Sequence, residues 1–117
     1  FQPHRYSRTS RLLRDFARAL AVADIVVLTA IFPAGEEPVP GVTAERLAEV
    51  LREISADPVH CVATLAEAVP LLTRLVRAGD LVLTLGAGSI GGLGDRLVSA
   101  LRQAPPSLAE AGSPETA

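Results

Sequence analysis

The chain has 117 residues, of which 49% are apolar and 3% aromatic, and a formal net charge of −2. That length allows about one domain, and no apolar run approaches the ~18 to 20 residues of a membrane span. The near-neutral charge and the few rings argue against a general nucleic-acid binder, which needs a basic surface and stacking platforms. Cys61 is the single cysteine, so it forms no internal disulfide and suits a reducing compartment. There is no lysine: all 11 basic residues are arginine. The basic, polar N-terminus has no apolar stretch behind it and is not a signal peptide.

In chain order, residues 1–8 read as a loop, and Thr9 or Ser10 is placed to cap a first helix whose apolar stripe is Leu12, Phe16 and Leu20. Ile25–Thr29 is a continuous apolar run, the pattern of a strand buried on both faces. A loop rich in proline and glycine follows, from Phe32 to Gly41. Thr43 caps a second helix carrying Leu47, Val50, Leu51 and Ile54 on one face, and Asp57-Pro58 ends it. Val59–Ala63 predicts a second strand. Thr64 and Glu67 form a capping box for a third helix. In that helix Pro70 predicts a kink or restart, and Gly79 the end. Leu81–Leu85 is the clearest strand of all. A glycine-rich turn, Gly86–Gly94, leads into a last helix over residues 93–103. From Pro105 onward the composition predicts a disordered tail, residues 105–117, behind a domain spanning residues 1–104.

Strands alternating with helices predict an α/β fold, a Rossmann-like three-layer sandwich with a mostly parallel sheet. Three strands are few for this much helix, and the chain opens on Phe1 without a methionine, so the domain is expected to be truncated at its N-terminal side. If Phe1 closes a strand, residues 2–8 join the loops 30–42 and 86–94 at one sheet edge. Open α/β sheets bind ligands at that edge, beyond the carboxyl ends of the strands.

Three segments there carry candidate chemistry. Arg5 and Arg8, three apart at a helix entry, suit an anionic substrate, because guanidinium groups meet carboxylate or phosphate in bidentate fashion and a helix N-terminus adds free N–H groups. The plainer reading is a solvated surface where they pair with acids. His4 is either a ligand contact or a hydrogen-bonded structural residue. Glu36 and Glu37 could orient an amine, pair with Arg5 or Arg8, or simply be solvated. Gly86-Ala-Gly88-Ser89-Ile-Gly91 formally satisfies G-x-G-x-x-G, but the acidic residue expected about 20 positions on falls at Pro105-Pro106, so the dinucleotide fingerprint fails. The lysine-dependent phosphate loop is likewise impossible. The glycines then serve a tight turn approaching a ligand or another domain. The alternative is a non-catalytic α/β module holding a nucleotide or anion at the Gly86–Gly91 turn. A ligand-free structural remnant is a third possibility.

FQPHRYSRT (Phe1–Thr9), AIFPAGEEPVPG (Ala30–Gly41) and DLVLTLGAGSI (Asp80–Ile90) together resemble, in order, the third-domain segments of the Mur ligases, and the His-Arg-Tyr-x-Arg run resembles their alanine-adding branch. The resemblance implies an enzyme of peptidoglycan precursor synthesis in the bacterial cytoplasm. Such a ligase uses ATP and Mg²⁺ to activate the lactyl carboxylate of UDP-N-acetylmuramate as an acyl phosphate, which the amino group of L-alanine attacks. N-terminal and central domains, absent from this chain, would bind the UDP moiety and ATP with Mg²⁺. On that resemblance His4, Arg5, Arg8, Glu36, Gly86, Gly88 and Ser89 bind substrate, no metal ligand or catalytic residue is expected in this chain alone, and the chain by itself is inactive. Ala30, Phe32, Ser89 and Gly91-Gly92 depart from the family pattern.

Overall fold

The structure is a computed structural model that describes residues 1–103. The tail expected over 105–117 lies outside the described residues. Helix α1 spans Tyr6–Leu20, strand β1 Val26–Thr29, helix α2 Ala44–Ile54, strand β2 Val59–Val62, helix α3 Leu65–Leu75 and helix α4 Leu93–Gln103, the last preceded by a 3₁₀ turn over Ser89–Gly92.

Strands β1 and β2 are parallel, with Val26 opposite Val59 and Thr29 opposite Val62. Parallel neighbours need a crossover, which α2 supplies. Leu28, Leu47, Val50 and Leu51 are buried in a core shared by α1, α2 and the sheet, with Phe1, Phe16 and Leu20 packed at its margin. A second core joins Ala68 of α3 to Ile90 and Leu93. This mixture of helices with a small parallel sheet is compatible with the α/β class.

Two helix starts follow from local chemistry. Thr43 accepts from the Arg46 amide, and Thr64 with Glu67 forms the full reciprocal box. Helix α1 does not follow the expectation. It starts at Tyr6, three residues before Thr9, and Arg5 at its N-cap position makes no side-chain cap. Thr9 instead is fully buried and turns its hydroxyl back to the Arg5 carbonyl, 2.8 Å away. This i to i−4 bond competes with capping.

Helix α3 also departs from expectation. It continues through Pro70 without a restart, and ends at Leu75 rather than at Gly79. Gly79, at φ +92°, serves the following turn, where the Asp80 amide donates to the Arg77 carbonyl and the Asp80 carboxylate accepts from the Arg77 amide.

The clearest expected strand, Leu81–Leu85, forms no ladder. Its side chains do alternate between exposed and half-buried, with a period of two. Backbone pairing reaches it only at its end, where the Leu85 carbonyl accepts from the Gln2 amide at 3.0 Å. Apolar alternation specifies a strand's faces, but a ladder also needs a hydrogen-bonded neighbour along its length.

Candidate functional site

Three segments meet beyond the carboxyl ends of the strands. Phe1 continues the sheet beside β1: its amino group donates to the Val27 carbonyl at 2.8 Å, and its carbonyl accepts from the Thr29 amide at 3.1 Å. Past that point the chain shifts to a new neighbour. The Phe32 amide donates to the Pro3 carbonyl and the Arg5 amide to the Phe32 carbonyl, both at 2.8 Å. The His4 ring stacks on the Phe32 ring with centroids 5.5 Å apart and planes 11° from parallel. Nδ1 of His4 is buried and has no partner among the described residues.

Gln2 ties this segment to the glycine turn. Its side chain is buried, donates to Ser89 Oγ at 3.2 Å and accepts from the Ile90 amide at 3.1 Å. The two turn glycines are needed for close approach. A Cβ at Gly86 would stand 2.7 Å from Ile90 Cγ2 and 2.9 Å from the Gln2 carbonyl, and one at Gly88 would stand 2.7 Å from Phe32 Cγ.

Glu36 closes the third side. Its carboxylate accepts from both the amide and the hydroxyl of Ser7 in the first turn of α1. A carboxylate there meets unsatisfied N–H groups and the positive end of the helix dipole. The Ser7 hydroxyl and amide hold Glu36 below the ordinary carboxylate value against an opposing effect of desolvation, with lesser help from the Tyr6 amide and the Arg5 charge.

Arg5 is held in an unusual backbone conformation, φ 71° and ψ 141°. Residues with a Cβ rarely adopt it, and such outliers gather where surrounding structure over-determines them. Here the Phe32 carbonyl holds the Arg5 amide, and the Thr9 amide and hydroxyl hold its carbonyl. Arg5 and Arg8 are exposed, and the ion pairs among the described residues, Arg18–Asp15 and Arg46–Glu49, involve neither.

All seven residues singled out in the sequence therefore lie in these three converging segments. Glu36 sits on the helix end rather than in an ion pair with either arginine. Gly86 and Gly88 face Gln2, Ile90 and Phe32. Sequence reasoning missed Gln2, Ser7, Thr9 and Phe32 as the parts that lock the segments together. A polar residue between Phe1 and Pro3 was a faint signal for Gln2. Nothing local pointed to the pairing of Ser7 with Glu36.

The family model for the Mur ligase, glutamate ligase domain, matches residues 2–88. The chain belongs to the Mur ligase family. Among curated relatives, it is 48% identical over 105 residues to a UDP-N-acetylmuramate–L-alanine ligase of Geotalea daltonii, covering 90% of this chain and 23% of that protein. A ligase of the same name from Sulfurihydrogenibium is 46% identical, covering 88% of this chain and 22% of that protein. One from Syntrophus aciditrophicus is 40% identical, covering 93% and 23%. The chain thus spans under a quarter of the length of these Mur ligases. No helix among its described residues is long and apolar enough to cross a membrane.

Proposed function

We propose that this chain is the alanine-side, C-terminal domain of an ATP-dependent ligase that joins L-alanine to UDP-N-acetylmuramate in bacterial peptidoglycan precursor synthesis. The observation that carries the reading is the 40–48% identity to ligases of that name over about nine-tenths of this chain. The convergence of His4, Arg5 and Arg8 with the 32–36 loop and the glycine turn supports it. In this reading the domain belongs to a three-layer Rossmann-like sandwich. Its active partners are the N-terminal and central domains of the same cytoplasmic enzyme.

Within that enzyme Arg5 and Arg8 oppose the negative charge of the activated lactyl carboxylate. Neither guanidinium is in an ion pair among the described residues, so each keeps its donors for that task. The stack on Phe32 and the hydrogen bonds of Gln2 and Glu36 hold the arginine-bearing segment in one geometry before substrate arrives, so less ordering is left to binding. ATP supplies the phosphoryl group for activation and Mg²⁺ offsets its charge. The residues here do not fit those two: no group of three His, Cys, Asp or Glu side chains gathers among the described residues, and the chain has no lysine for a phosphate loop. We place their binding in the central domain.

The nucleotide-module alternative is not favoured. Gly86 and Gly88, the first two glycines of that turn, are packed against Gln2, Ile90 and Phe32 rather than open to a ligand.

The test is a chimera in which this chain replaces the third domain of the Geotalea daltonii ligase. Phosphate release should require both UDP-N-acetylmuramate and L-alanine. Arg5→Ala or Arg8→Ala should lower kcat/KM for L-alanine on the order of 100-fold, as expected for a lost charged contact in the transition state. Unchanged alanine kinetics in both variants would refute the role given to the arginines.

A further inference from the structure

Helices α1 and α2 lie side by side over one face of the sheet and share one core. Each leads into its own strand, α1 into β1 and α2 into β2, and those strands are parallel, so the two helices run in the same direction. Their outward faces carry opposite charge. At about 100° per residue, Arg11, Arg14 and Arg18 fall together on α1, opposite the inward stripe of Thr9, Phe16 and Leu20. Glu45, Glu49 and Glu53 likewise fall together on α2, opposite the buried Leu47 and Leu51. All six charged residues are exposed.

Neither strip is satisfied within the chain. Like charges three or four residues apart on a helix repel. Helix α1 has only Asp15 among its three arginines, and α2 repeats glutamate at every fourth position. The helices are neighbours, yet no ion pair among the described residues crosses between them. Arg18 pairs with Asp15 at 3.1 Å and Arg46 with Glu49 at 3.0 Å, each within its own helix and each in solvent.

The two strips are also level. Arg11 and Glu45 each stand nine residues before the last residue of their helix, Arg14 and Glu49 six and five, Arg18 and Glu53 two and one. At about 1.5 Å per residue the strips are about 10 and 12 Å long. A face with a basic strip beside a matching acidic strip is its own complement. A twofold axis parallel to the helices and between them lays α1 of one copy over α2 of the other. The three arginines of each copy then meet the three glutamates of its partner.

We infer that the outer face of α1 and α2 docks a second copy of this chain through reciprocal arginine–glutamate pairing. Charge decides the occupant. An acidic protein or an anionic surface satisfies α1 and is repelled by α2, whereas a second copy satisfies both. Guanidinium groups suit the task because they meet carboxylates in bidentate fashion. The face is small and each exposed pair is weak by itself, so the association is transient and sensitive to ionic strength. None of the six residues belongs to the site around His4, so the inference stands apart from the ligase reading.

The test is sedimentation equilibrium of the chain in low and high salt. Between about 20 mM and 500 mM salt the association constant should fall about tenfold or more. Arg11→Glu with Arg14→Glu sets acid against acid, and Glu49→Arg with Glu53→Arg sets base against base, so each of these proteins should be a monomer alone. Mixed in equal amounts, they should form a one-to-one dimer, because each reversed strip then meets one of opposite sign. Arg11→Gln with Arg14→Gln adds no repulsion within the helix and should weaken self-association on the order of tenfold, which decides the matter if a reversed protein fails to fold. A chain that stays monomeric in low salt up to about 1 mM, beyond the range of weak transient contacts, would overturn the inference. So would a dimer that persists in high salt or in the reversed or glutamine proteins, since its contact would then lie elsewhere.

Discussion

Phe32 and Gly88 are in contact across the site, so close that a methyl group at 88 would overlap the Phe32 ring at 2.7 Å. The ring that fills this space also carries the His4 imidazole on its face. One packing contact therefore couples the glycine turn to the segment bearing the arginines. Gly88→Ala should destabilise the chain by about 1–3 kcal/mol, the usual cost of overpacking. Phe32→Ala combined with Gly88→Ala should cost less than the sum of the two single changes by about 1 kcal/mol or more, because removing the ring removes the overlap. Urea unfolding of the four proteins measures the coupling, and strict additivity would show that the contact is not close.

Arg5 combines an exposed side chain with a strained backbone. A residue with a Cβ in such a conformation costs about 1–3 kcal/mol. Glycine removes that strain but loses about 0.5–1 kcal/mol through its freer unfolded chain. Arg5→Gly should therefore raise stability by roughly 1 kcal/mol, a few degrees in Tm for a domain of this size. The same change in the chimeric ligase should abolish most alanine-dependent phosphate release. A gain in stability with a loss of activity is the signature of a residue kept for function. A lower Tm for the glycine variant would mean that Arg5 is there for packing.

The distribution of success between sequence and structure follows from the range of the interactions. Thr43 and Thr64 cap their helices through neighbours three residues away, so both starts were readable from spacing. The first helix is capped by Glu36, 29 positions from Ser7, and Thr9 was misassigned because its hydroxyl had a closer acceptor in the Arg5 carbonyl. Leu81–Leu85 has the right alternation for a strand, yet alternation says nothing about whether a partner lies alongside. At the site, the motifs carried His4, Arg5 and Arg8, since charged and ring residues announce their chemistry. Gln2 acts through two bonds to residues 87 and 88 positions away, and no local pattern encodes those.

Gln2 supplies the next prediction. Its Oε1 is the partner of the Ile90 amide, in a residue that is 2% exposed. Gln2→Leu keeps the volume and the apolar surroundings but leaves that buried amide without an acceptor, which costs about 1–3 kcal/mol. Thermal unfolding should fall by several degrees. Gln2→Glu retains an acceptor for the Ile90 amide and can accept from the Ser89 hydroxyl, but it puts a charge at a buried position, so it should recover only part of the loss at neutral pH. If Gln2→Leu unfolds at the unmodified temperature, the bridge between the two segments contributes nothing.

Glu36 links the site to pH. Its carboxyl lies below its ordinary value of 4.5 because the ionised form accepts from the Ser7 hydroxyl and amide at the head of α1. A group whose folded value is depressed adds stability that is present above the unfolded value and is lost as pH falls through the folded one. The contribution of Glu36 is thus intact above about pH 4.5 and disappears progressively below it. Glu36→Gln removes the titration while keeping one oxygen to accept from Ser7. Every other carboxylate is shared by the two proteins, so the difference between them isolates this residue. The unmodified chain should be the more stable at pH 7, and the gap should close as pH falls below 4.5. Because the helix end and Arg5 act on Glu36 through charge, added salt at pH 7 should narrow the gap as well. Urea midpoints for both proteins across this range check the prediction, and a gap that stays constant with pH would show that Glu36 does not cap α1 in solution.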